Sequence, residues 1–364
     1  MILSRYIARR FLRMVFIVFL AFFGLMMLID VLDQMRRFSD EGITLVQAGL
    51  LSLLRVPATL YTILPLIVIL AAVALFLGLA RSSELVVVRA AGRSGLRFLV
   101  APMVVALALG TVAVTVLNPI VAGTSRQYDA AAGRLARGEA SILSISKEGL
   151  WLRQGGSGEQ TVIHALRSNT DGTRLYAVTF LTFDAEGRPT GRIAAEQAAL
   201  ERGYWQLSGA KSWDLTEANP EARAGLPGNL RVTSELTREG IQDSFGDPSA
   251  IPIWELPAYV AGLERAGFSA RKHRVWMQME FALPATLAAM VLVAAGFTMR
   301  HSRFGGTGRM VLLALLGGFS LFFLRNFAQV LGENGQIPIL LAAWSPPLIG
   351  VMGSLGLLLH LEDG

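Results

Sequence analysis

The sequence predicts an α-helical membrane protein with six transmembrane helices, three before and three after an all-β domain. Of the 364 residues, 53% are hydrophobic and only 16% are charged, whereas soluble globular domains carry about 25% charged residues. Six separate stretches are apolar over about 20 residues, the length that a helix needs to cross a bilayer. Between the third and fourth stretches, short apolar runs alternate with turn residues, which is typical of a β domain.

The six predicted spans are each about 20 or more mostly apolar residues long. They are Phe11–Leu32, Thr59–Ala80, Phe98–Leu117, Trp276–Met299, Met310–Leu331 and Ile337–Leu359. The first is too long for the apolar core of a signal peptide and lacks a small-residue cleavage site, so we expect it to be retained. The predicted organisation is helices one to three in 1–121, including a cytoplasmic loop at 81–97, a β domain in 122–251, a connector helix in 252–275 and helices four to six in 276–364.

Arginine clusters predict the direction in which the helices cross. Short cytoplasmic loops carry an excess of Lys and Arg. Arginines gather before the first span, after the second and after the fourth, three regions that can all lie on one side. We therefore expect these regions in the cytoplasm and the β domain on the outer side. The pI near 10 does not indicate nucleic-acid binding, because the basic residues mostly flank apolar runs.

The predicted β domain contains six candidate strands. They are Leu150–Arg153, Thr161–Leu166, Leu175–Phe183, Arg192–Leu200, Trp205–Leu215 and Leu230–Leu236. Turn signals separate them, which predicts a sandwich or jelly roll. The edges of such a sheet are either covered or used for strand addition, and the sequence leaves open whether a partner binds there. In the connector, Trp254, Tyr259, Val260 and Leu263 are expected on one helical face.

The sequence shows no catalytic constellation. There is no cysteine, which excludes thiol catalysis and Cys-ligated zinc. The four histidines have no metal-ligand spacing, and the glycine-rich run at 305–308 lacks the P-loop frame. We predict no catalytic residue, no metal and no cofactor. If transport by this protein consumes ATP, another chain must bind and hydrolyse the nucleotide.

The loop at 81–97 contains a short pattern that suggests a helix. Ser82 or Ser83 would cap it, and Glu84 would favour its positively polarised N-terminal end. The four consecutive apolar residues that follow, Leu85 to Val88, must be shielded from water although they lie in a cytosolic loop. Two interpretations fit: this run dips into the lipid interface, or it docks into a groove on a cytoplasmic partner.

Polar residues also gather near the outer ends of the spans. They are Asp30, Asp33, Arg36, Arg37, Arg126, Arg325, Asn326 and Gln329. An ionisable residue within a span usually faces a cavity or a partner, because exposure of its charge to lipid is costly. Arg325 lies inside the fifth apolar stretch. It either extends toward the outer interface or faces a cavity.

Three stretches, Leu79–Gly92, Glu148–Arg153 and Ile29–Arg37, combine with the three-plus-three arrangement of the spans into a recognisable pattern. With this pattern the chain resembles the LptF/LptG family of permease subunits of the lipopolysaccharide export transporter. Leu79–Gly92 is similar to the coupling loop of the family, Glu148–Arg153 to the opening strand of its outer domain, and Ile29–Arg37 to the end of its first helix. The resemblance extends over essentially the whole chain. Leu85–Val88 and Gly149–Trp151 favour the G-type subunit over its F-type paralogue.

The resemblance implies a subunit of an ABC transporter that draws lipopolysaccharide from the inner membrane and passes it to a periplasmic jelly-roll bridge. It implies three partners: an LptF-like permease, an LptB-like ATPase dimer and an LptC-like membrane-anchored jelly-roll protein. Two alternatives stay open, namely the F-type subunit and a membrane-anchored receptor or sensor with an extracytoplasmic β domain.

The resemblance also implies two sets of site residues. The residues expected to couple to the ATPase are Glu84, Leu85, Val86, Val87 and Arg89. Basic residues around the cavity mouth of family members contact lipid A phosphates, and Arg36, Arg37 and Arg126 match such positions. We add Arg325 for its place near the outer end of the fifth span. Asp30 stands where some relatives have a lysine, which speaks against a phosphate contact there.

Overall fold

A computed structural model of the chain forms two compact units. It describes residues 2–39, 42–82, 84, 95–135, 143–146, 149–154, 160–169, 172–217, 219–222, 224–234, 236–237, 241, 247–265, 268–299 and 307–362. The helical unit comprises Met1–Ala136, Ser249–Trp254 and Arg271–Gly364, and the β unit comprises Arg137–Pro248 and Glu255–Ala270.

Nine α-helices occur in the described part of the chain. In chain order they are α1 (Ile2–Arg37), α2 (Leu45–Thr62), α3 (Leu64–Arg81), α4 (Gly95–Val112), α5 (Asn118–Leu135), α6 (Leu256–Arg265), α7 (Arg271–Thr298), α8 (Thr307–Glu333) and α9 (Ile339–Glu362). A π-helical turn at Ala113–Leu117 joins α4 to α5. All of these helices belong to the helical unit except α6, which belongs to the β unit.

Within the described ranges, six helical stretches are long and apolar enough to cross a membrane. They are Leu3–Arg37, Leu64–Arg81, Arg97–Leu135, Arg271–Thr298, Gly308–Glu333 and Ile339–His360. Three precede the β strands and three follow them, which confirms the predicted three-plus-three arrangement. These stretches are helical because a helix satisfies its own backbone hydrogen bonds in lipid. They are long because about 20 residues are needed to cross the hydrocarbon core.

The predicted second span, Thr59–Ala80, is wrong in its bounds, because the helix breaks at Ile63. Pro65 occupies the first turn of α3, where a proline without an N–H is tolerated and favours a new helix start. The preceding helix, α2, begins with a capping box formed by Thr44 and Gln47. The sequence analysis predicted no separate helix here.

The third span is longer than predicted. It passes Leu117 through the π-helical turn and continues as α5 to Leu135. Pro119 has no N–H to donate to the carbonyl of the preceding turn. Just before it, at Ala113–Leu117, the backbone hydrogen bonds change from the α-helical to the wider π-helical pattern. The first strand begins only at Leu143, so the helical part of the chain continues past residue 121, where the sequence analysis placed the start of the β domain.

The helices of the helical unit pack closely where glycines face a neighbour. Helix α7 lies at the centre and contacts α3, α4, α8 and α9. A Cβ atom on Gly110 of α4 would lie 2.4 Å from the Cα atom of Pro284 in α7. The backbones of α4 and α7 therefore almost touch, as small residues permit at helix crossings in membranes.

We expect Gly110→Ala to destabilise the helical unit, because the new methyl group would meet the backbone of Pro284, which cannot rotate away. Overpacking of this kind costs about 1–3 kcal/mol. The matched control is Gly123→Ala in α5, where a Cβ atom meets nothing within 4 Å. Thermal unfolding in detergent should show a lowered midpoint for Gly110→Ala alone. Equal midpoints for both variants would contradict the described crossing.

The β unit contains a seven-stranded antiparallel sheet in which the strands follow chain order. The strands are β1 (Leu143–Ser146), β2 (Gly149–Gln154), β3 (Gln160–Ser168), β4 (Arg174–Phe183), β5 (Pro189–Glu201), β6 (Tyr204–Asp214) and β7 (Gly225–Thr233). All six predicted strands are present, so the all-β prediction is confirmed. The sequence analysis missed β1, and it placed the start of β7 too late.

The sheet curls so that two strands far apart in its order meet. Gln154 at the end of β2 donates a hydrogen bond to the carbonyl of Thr233 in β7 at 3.0 Å, and Ser234 donates to Gln154 at 2.7 Å. Side chains of the inner face form one hydrophobic core around Phe180 and Trp205. The curl gives the unit the rolled character expected of a jelly-roll-like domain.

Helix α6 completes this core. Val260 and Leu263 are buried in it and Tyr259 packs against it. The prediction for Trp254 is wrong, because this residue precedes the helix and its side chain is 65% exposed. The predicted common face fails at Trp254 because α6 begins only at Leu256.

Candidate functional site

A polar network joins the C-terminal end of α1 to α2. Asp30, Asp33, Gln34 and Arg37 recur at intervals of three and four residues, so they share one face of α1. Arg55 of α2 pairs with both carboxylates, at 3.3 Å from Asp30 and 2.9 Å from Asp33. Gln34 is fully buried and donates to Asp30 at 3.3 Å. The network thus fixes the last turns of α1 against α2.

Tyr128 extends this network to α5. Its hydroxyl accepts hydrogen bonds from Gln34 at 3.1 Å and from Arg37 at 3.3 Å. The guanidinium of Arg55 lies over its ring, 5.6 Å from the centroid, which is a favourable cation–π distance. The ring is held in a small hydrophobic cluster with Phe38, among others. We call Asp30, Asp33, Gln34, Arg37, Arg55 and Tyr128 the mouth network.

Three of the four predicted substrate-binding arginines lie on the helices of the mouth network. Arg36 and Arg37 are exposed in the last turn of α1, and Arg126 is exposed on α5, two residues before Tyr128. Arg325 differs, because its side chain on α8 is only 7% exposed. The structure thus brings Arg37 to the residues of α5, whereas it buries Arg325 in the interior.

The mouth network includes residues that the sequence analysis did not select as site residues. These residues are Gln34, Arg55 and Tyr128. The sequence feature that could have indicated them is the pair of carboxylates at Asp30 and Asp33. Two neighbouring negative charges at the end of a span are stabilised by a cation, which here is Arg55. Asp30 is bound by Arg55, so the acidic residue at this position has its counter-charge within the same chain.

A second polar cluster lies inside the helical unit around Glu280 of α7. Glu280 is only 1% exposed. Tyr61 of α2 donates its hydroxyl hydrogen to the Glu280 carboxylate, and Asn118 of α5 donates to the same oxygen at 3.2 Å. Arg325 of α8 interacts electrostatically with both Glu280 and Tyr61. We call Tyr61, Asn118, Glu280 and Arg325 the buried cluster.

The buried cluster sits beside the irregular points of the helices. Tyr61 precedes the break at Ile63, and Asn118 directly follows the π-helical turn. Glu280 lies one turn before Pro284, inside α7. The carbonyl oxygen of the Asn118 side chain also accepts the backbone N–H of Ile253 at 2.9 Å. Because a buried charge is stable only when paired and hydrogen-bonded, the cluster holds four helices in one arrangement.

Glu84 follows α3, at the opposite end of α1 from the mouth network. Its carboxylate accepts hydrogen bonds from Arg10 at 2.8 Å and from Ser82 at 2.7 Å. Partial burial alone would raise the pKa of Glu84, but these two hydrogen bonds outweigh it, and the pKa lies below its usual value. Leu85, Val86, Val87 and Arg89, the other predicted coupling residues, lie outside the described residues.

In the part of the chain that the structure describes, no group of three or more His, Asp or Glu side chains is placed to hold a metal ion. The polar groups that are brought together pair with one another across helices. They form contacts suited to holding helices in place and to presenting cations at the ends of membrane spans.

Six membrane-spanning helices divided by a curled β unit define a multi-pass membrane protein with one inserted β domain. The family model for the lipopolysaccharide export system permease LptF/LptG matches residues 5–360. The chain therefore belongs to the LptF/LptG family of lipopolysaccharide export permeases, and it is a multi-pass protein of the inner membrane. This confirms the resemblance given by the three sequence stretches.

Two curated relatives carry the same description and match over nearly the full length. The chain is 26% identical to the lipopolysaccharide export system permease protein LptG of Escherichia coli (strain K12) over 361 residues, which cover 96% of this chain and 94% of that protein. It is 25% identical to the LptG protein of Haemophilus influenzae over 363 residues, 96% of each chain. The similarity thus includes the β unit and both sets of helices.

Proposed function

We propose that this chain is the G-type permease subunit of an ABC transporter that extracts lipopolysaccharide from the inner membrane and passes it to a periplasmic jelly-roll bridge. The observation that carries the proposal is the match of LptG proteins across 96% of the chain. A membrane-anchored receptor has no need of the second set of three helices, whereas a permease needs helices on both sides of its path.

We propose that the exposed arginines at the outer end of the helices bind the phosphates of lipid A. Guanidinium groups donate paired, charge-assisted hydrogen bonds to phosphate. Arg36 and Arg37 of α1 and Arg126 of α5 are exposed, and Tyr128 holds Arg37 in place at 3.3 Å. Arg325 is the fourth proposed contact. Because it is buried beside Glu280, it would reach a phosphate only after the buried cluster opens.

We propose that residues 84–89 couple the permease to an ATPase dimer. Glu84, Leu85, Val86, Val87 and Arg89 would form the docking segment. ATP would be bound and hydrolysed by the ATPase, so this chain would need no cofactor of its own. An F-type permease would complete the membrane path.

We propose that the β unit lies in the periplasm and joins the bridge by strand addition. The outer edges of β1 and β7 end the sheet, and such edges present unpaired backbone groups to a further strand. A membrane-anchored jelly-roll protein of the LptC type, or the β domain of the F-type subunit, would supply that strand.

Copurification tests the proposed function directly. We expect the tagged chain, extracted in mild detergent, to retain an ATPase, a second permease and a membrane-anchored β protein. Reconstituted into proteoliposomes, this complex should release lipopolysaccharide to a periplasmic acceptor only with ATP. A chain that purifies without any ATPase, while its β unit binds a periplasmic ligand, would instead support the receptor alternative.

Photocrosslinking tests the role of the sheet edge. We expect a crosslinker at Asn229, which is exposed on the edge strand β7, to capture another β protein of the complex in cells. The matched control is Glu196, which is exposed on β5, a strand that has a neighbour on each side in the sheet. Capture from Glu196 but not from β7, in a working transporter, would contradict strand addition at that edge.

A further inference from the structure

The ion pair between Arg10 and Glu84 joins two segments that are far apart in sequence. Nη1 of Arg10 in α1 lies 2.8 Å from Oε1 of Glu84, and both side chains are partly shielded from solvent. Ser82, in the turn after α3, donates to the same oxygen. The inner end of α1 is therefore bound to the first residue of the proposed coupling segment.

The surroundings of Arg10 hold its guanidinium in one place. It donates to the hydroxyl of Tyr6, one turn earlier, at 2.7 Å. On the other side, its Nη2 lies 3.4 Å from the position that a Cβ atom of Gly78 would take, so the absence of a side chain at Gly78 makes room for it against α3. Ile7 and Phe11, which flank Arg10 in sequence, are buried. These contacts constrain Arg10 more than an ordinary surface arginine.

Helix α1 connects this ion pair to the mouth network. It is continuous over 36 residues, which corresponds to about 54 Å at 1.5 Å per residue. Its outer end is bound to α2 through Asp30 and Asp33, and to α5 through Arg37. A helix attached at both ends transmits a displacement of one end to the other.

We propose that Arg10 is a positioning residue for energy coupling: it attaches Glu84 to α1, so that ATPase-driven movement of the coupling segment displaces α1 and, through it, the mouth network. This inference rests on the proposed function. Partly exposed ion pairs contribute little to folding stability, so Arg10→Glu, which changes no residue of the docking segment, should leave the protein inserted and the ATPase bound. The effect should appear in coupling, measured as lipopolysaccharide released per ATP hydrolysed.

Charge exchange within the pair tests the proposal in the reconstituted complex. We expect Arg10→Glu and Glu84→Arg each to lower the release per ATP by about fivefold or more, a typical strength of coupling between sites. The double variant Arg10→Glu with Glu84→Arg restores an ion pair of reversed direction and should return toward the parent value. Arg10→Lys keeps the charge but loses the planar guanidinium, so its release of lipopolysaccharide per ATP should lie between the values of the parent and of Arg10→Glu.

The neighbouring residue supplies a matched control. Arg9 is exposed on the outer face of the same turn, and Arg9→Glu makes the same change of charge at the same height of α1. Parent-like coupling in Arg9→Glu and reduced coupling in Arg10→Glu would support the positioning role. Equal behaviour of the two variants would overturn it.

The double variant also separates this role from a direct contact of Glu84 with the ATPase. If the charge of Glu84 acts only through a cation of the ATPase and not through Arg10, the double variant should remain as defective as Glu84→Arg, and the proposal is overturned. Failure of the proposed function itself looks different, because the parent complex would then hydrolyse ATP without releasing lipopolysaccharide, or would lack an ATPase.

The chain contains no cysteine, so spin labels can be placed without background. Labels at Met35 of α1 and Val330 of α8, which are both exposed, report the position of the outer end of α1. We expect their distance to change when ATP is trapped in the parent, in Arg9→Glu and in the double variant, but not in Arg10→Glu. If Arg10→Glu shows the same ATP-dependent change in distance as the parent, α1 moves independently of the ion pair and the proposal is overturned.

Discussion

The double variant Arg36→Glu with Arg37→Glu is expected to reduce crosslinking of lipopolysaccharide to the transporter by at least about tenfold at equal protein abundance. A charged hydrogen bond in a partly dry site contributes roughly 1.5–3 kcal/mol, and about 1.4 kcal/mol is a factor of ten in binding. Both side chains are exposed at the outer end of α1. Reversed charges at this place would also repel the phosphates of lipid A.

Two further variants separate substrate binding from local structure. Tyr128→Phe removes the hydroxyl that receives Arg37 but leaves the cation, so it should weaken crosslinking much less than the double charge reversal. Lysines at 36 and 37 keep the charge without the paired donors and should give an intermediate loss. If the double glutamate variant crosslinks and releases lipopolysaccharide like the parent, these arginines serve only as anchors in the lipid interface.

Removing the carboxylate of Glu280 is expected to lower the stability of the helical unit strongly. In Glu280→Ala, the hydroxyl of Tyr61 and the amide of Asn118 lose their shared buried acceptor. Buried Arg325 loses the electrostatic attraction of this carboxylate at the same time. A buried polar group left without its hydrogen-bond partner costs about 1–3 kcal/mol. We therefore expect a strongly lowered unfolding midpoint in detergent and low abundance in the membrane.

Conservative substitutions identify which contacts of the buried cluster account for the loss of stability in Glu280→Ala. Glu280→Gln keeps an acceptor for Tyr61 but leaves Arg325 unbalanced, so its loss should be smaller than that of Glu280→Ala. Adding Arg325→Gln removes the unbalanced cation and should restore part of the stability, because neutralising both partners avoids the cost of a lone buried charge. A Glu280→Ala protein that unfolds at the parent temperature would contradict the described burial of this cluster.

The predicted bounds of the second and third spans were wrong, because the structure breaks the second at Ile63 and extends the third to Leu135. Hydropathy reports whether a stretch is apolar enough to enter a membrane, but it does not report where the backbone ladder is interrupted. Pro65 and Pro119 were visible in the sequence. Their effects depend on the neighbouring turns, since a proline can start a helix, end it or be absorbed in a π-helical turn.

The candidate sites were predictable only in part for a related reason. Arg36, Arg37, Arg126 and Glu84 were selected because they match positions of the family that the chain resembles. The identity of their neighbours was not predictable. Arg10 and Glu84 are separated by 74 residues, and Tyr61 and Glu280 by 219, and no periodic pattern connects positions so far apart.

The sequence by itself determined the six spans, the β character of the inserted domain and the family. These properties follow from local composition and spacing, because lipid requires continuous apolar helices and a sheet requires alternating faces. The tertiary structure alone decided that Arg37 and Arg55 converge on Tyr128, that Arg325 is buried beside Glu280 and that Arg10 holds Glu84. Such contacts depend on how helices are rotated and packed against one another, which is set by close fits such as that of Gly110 on Pro284.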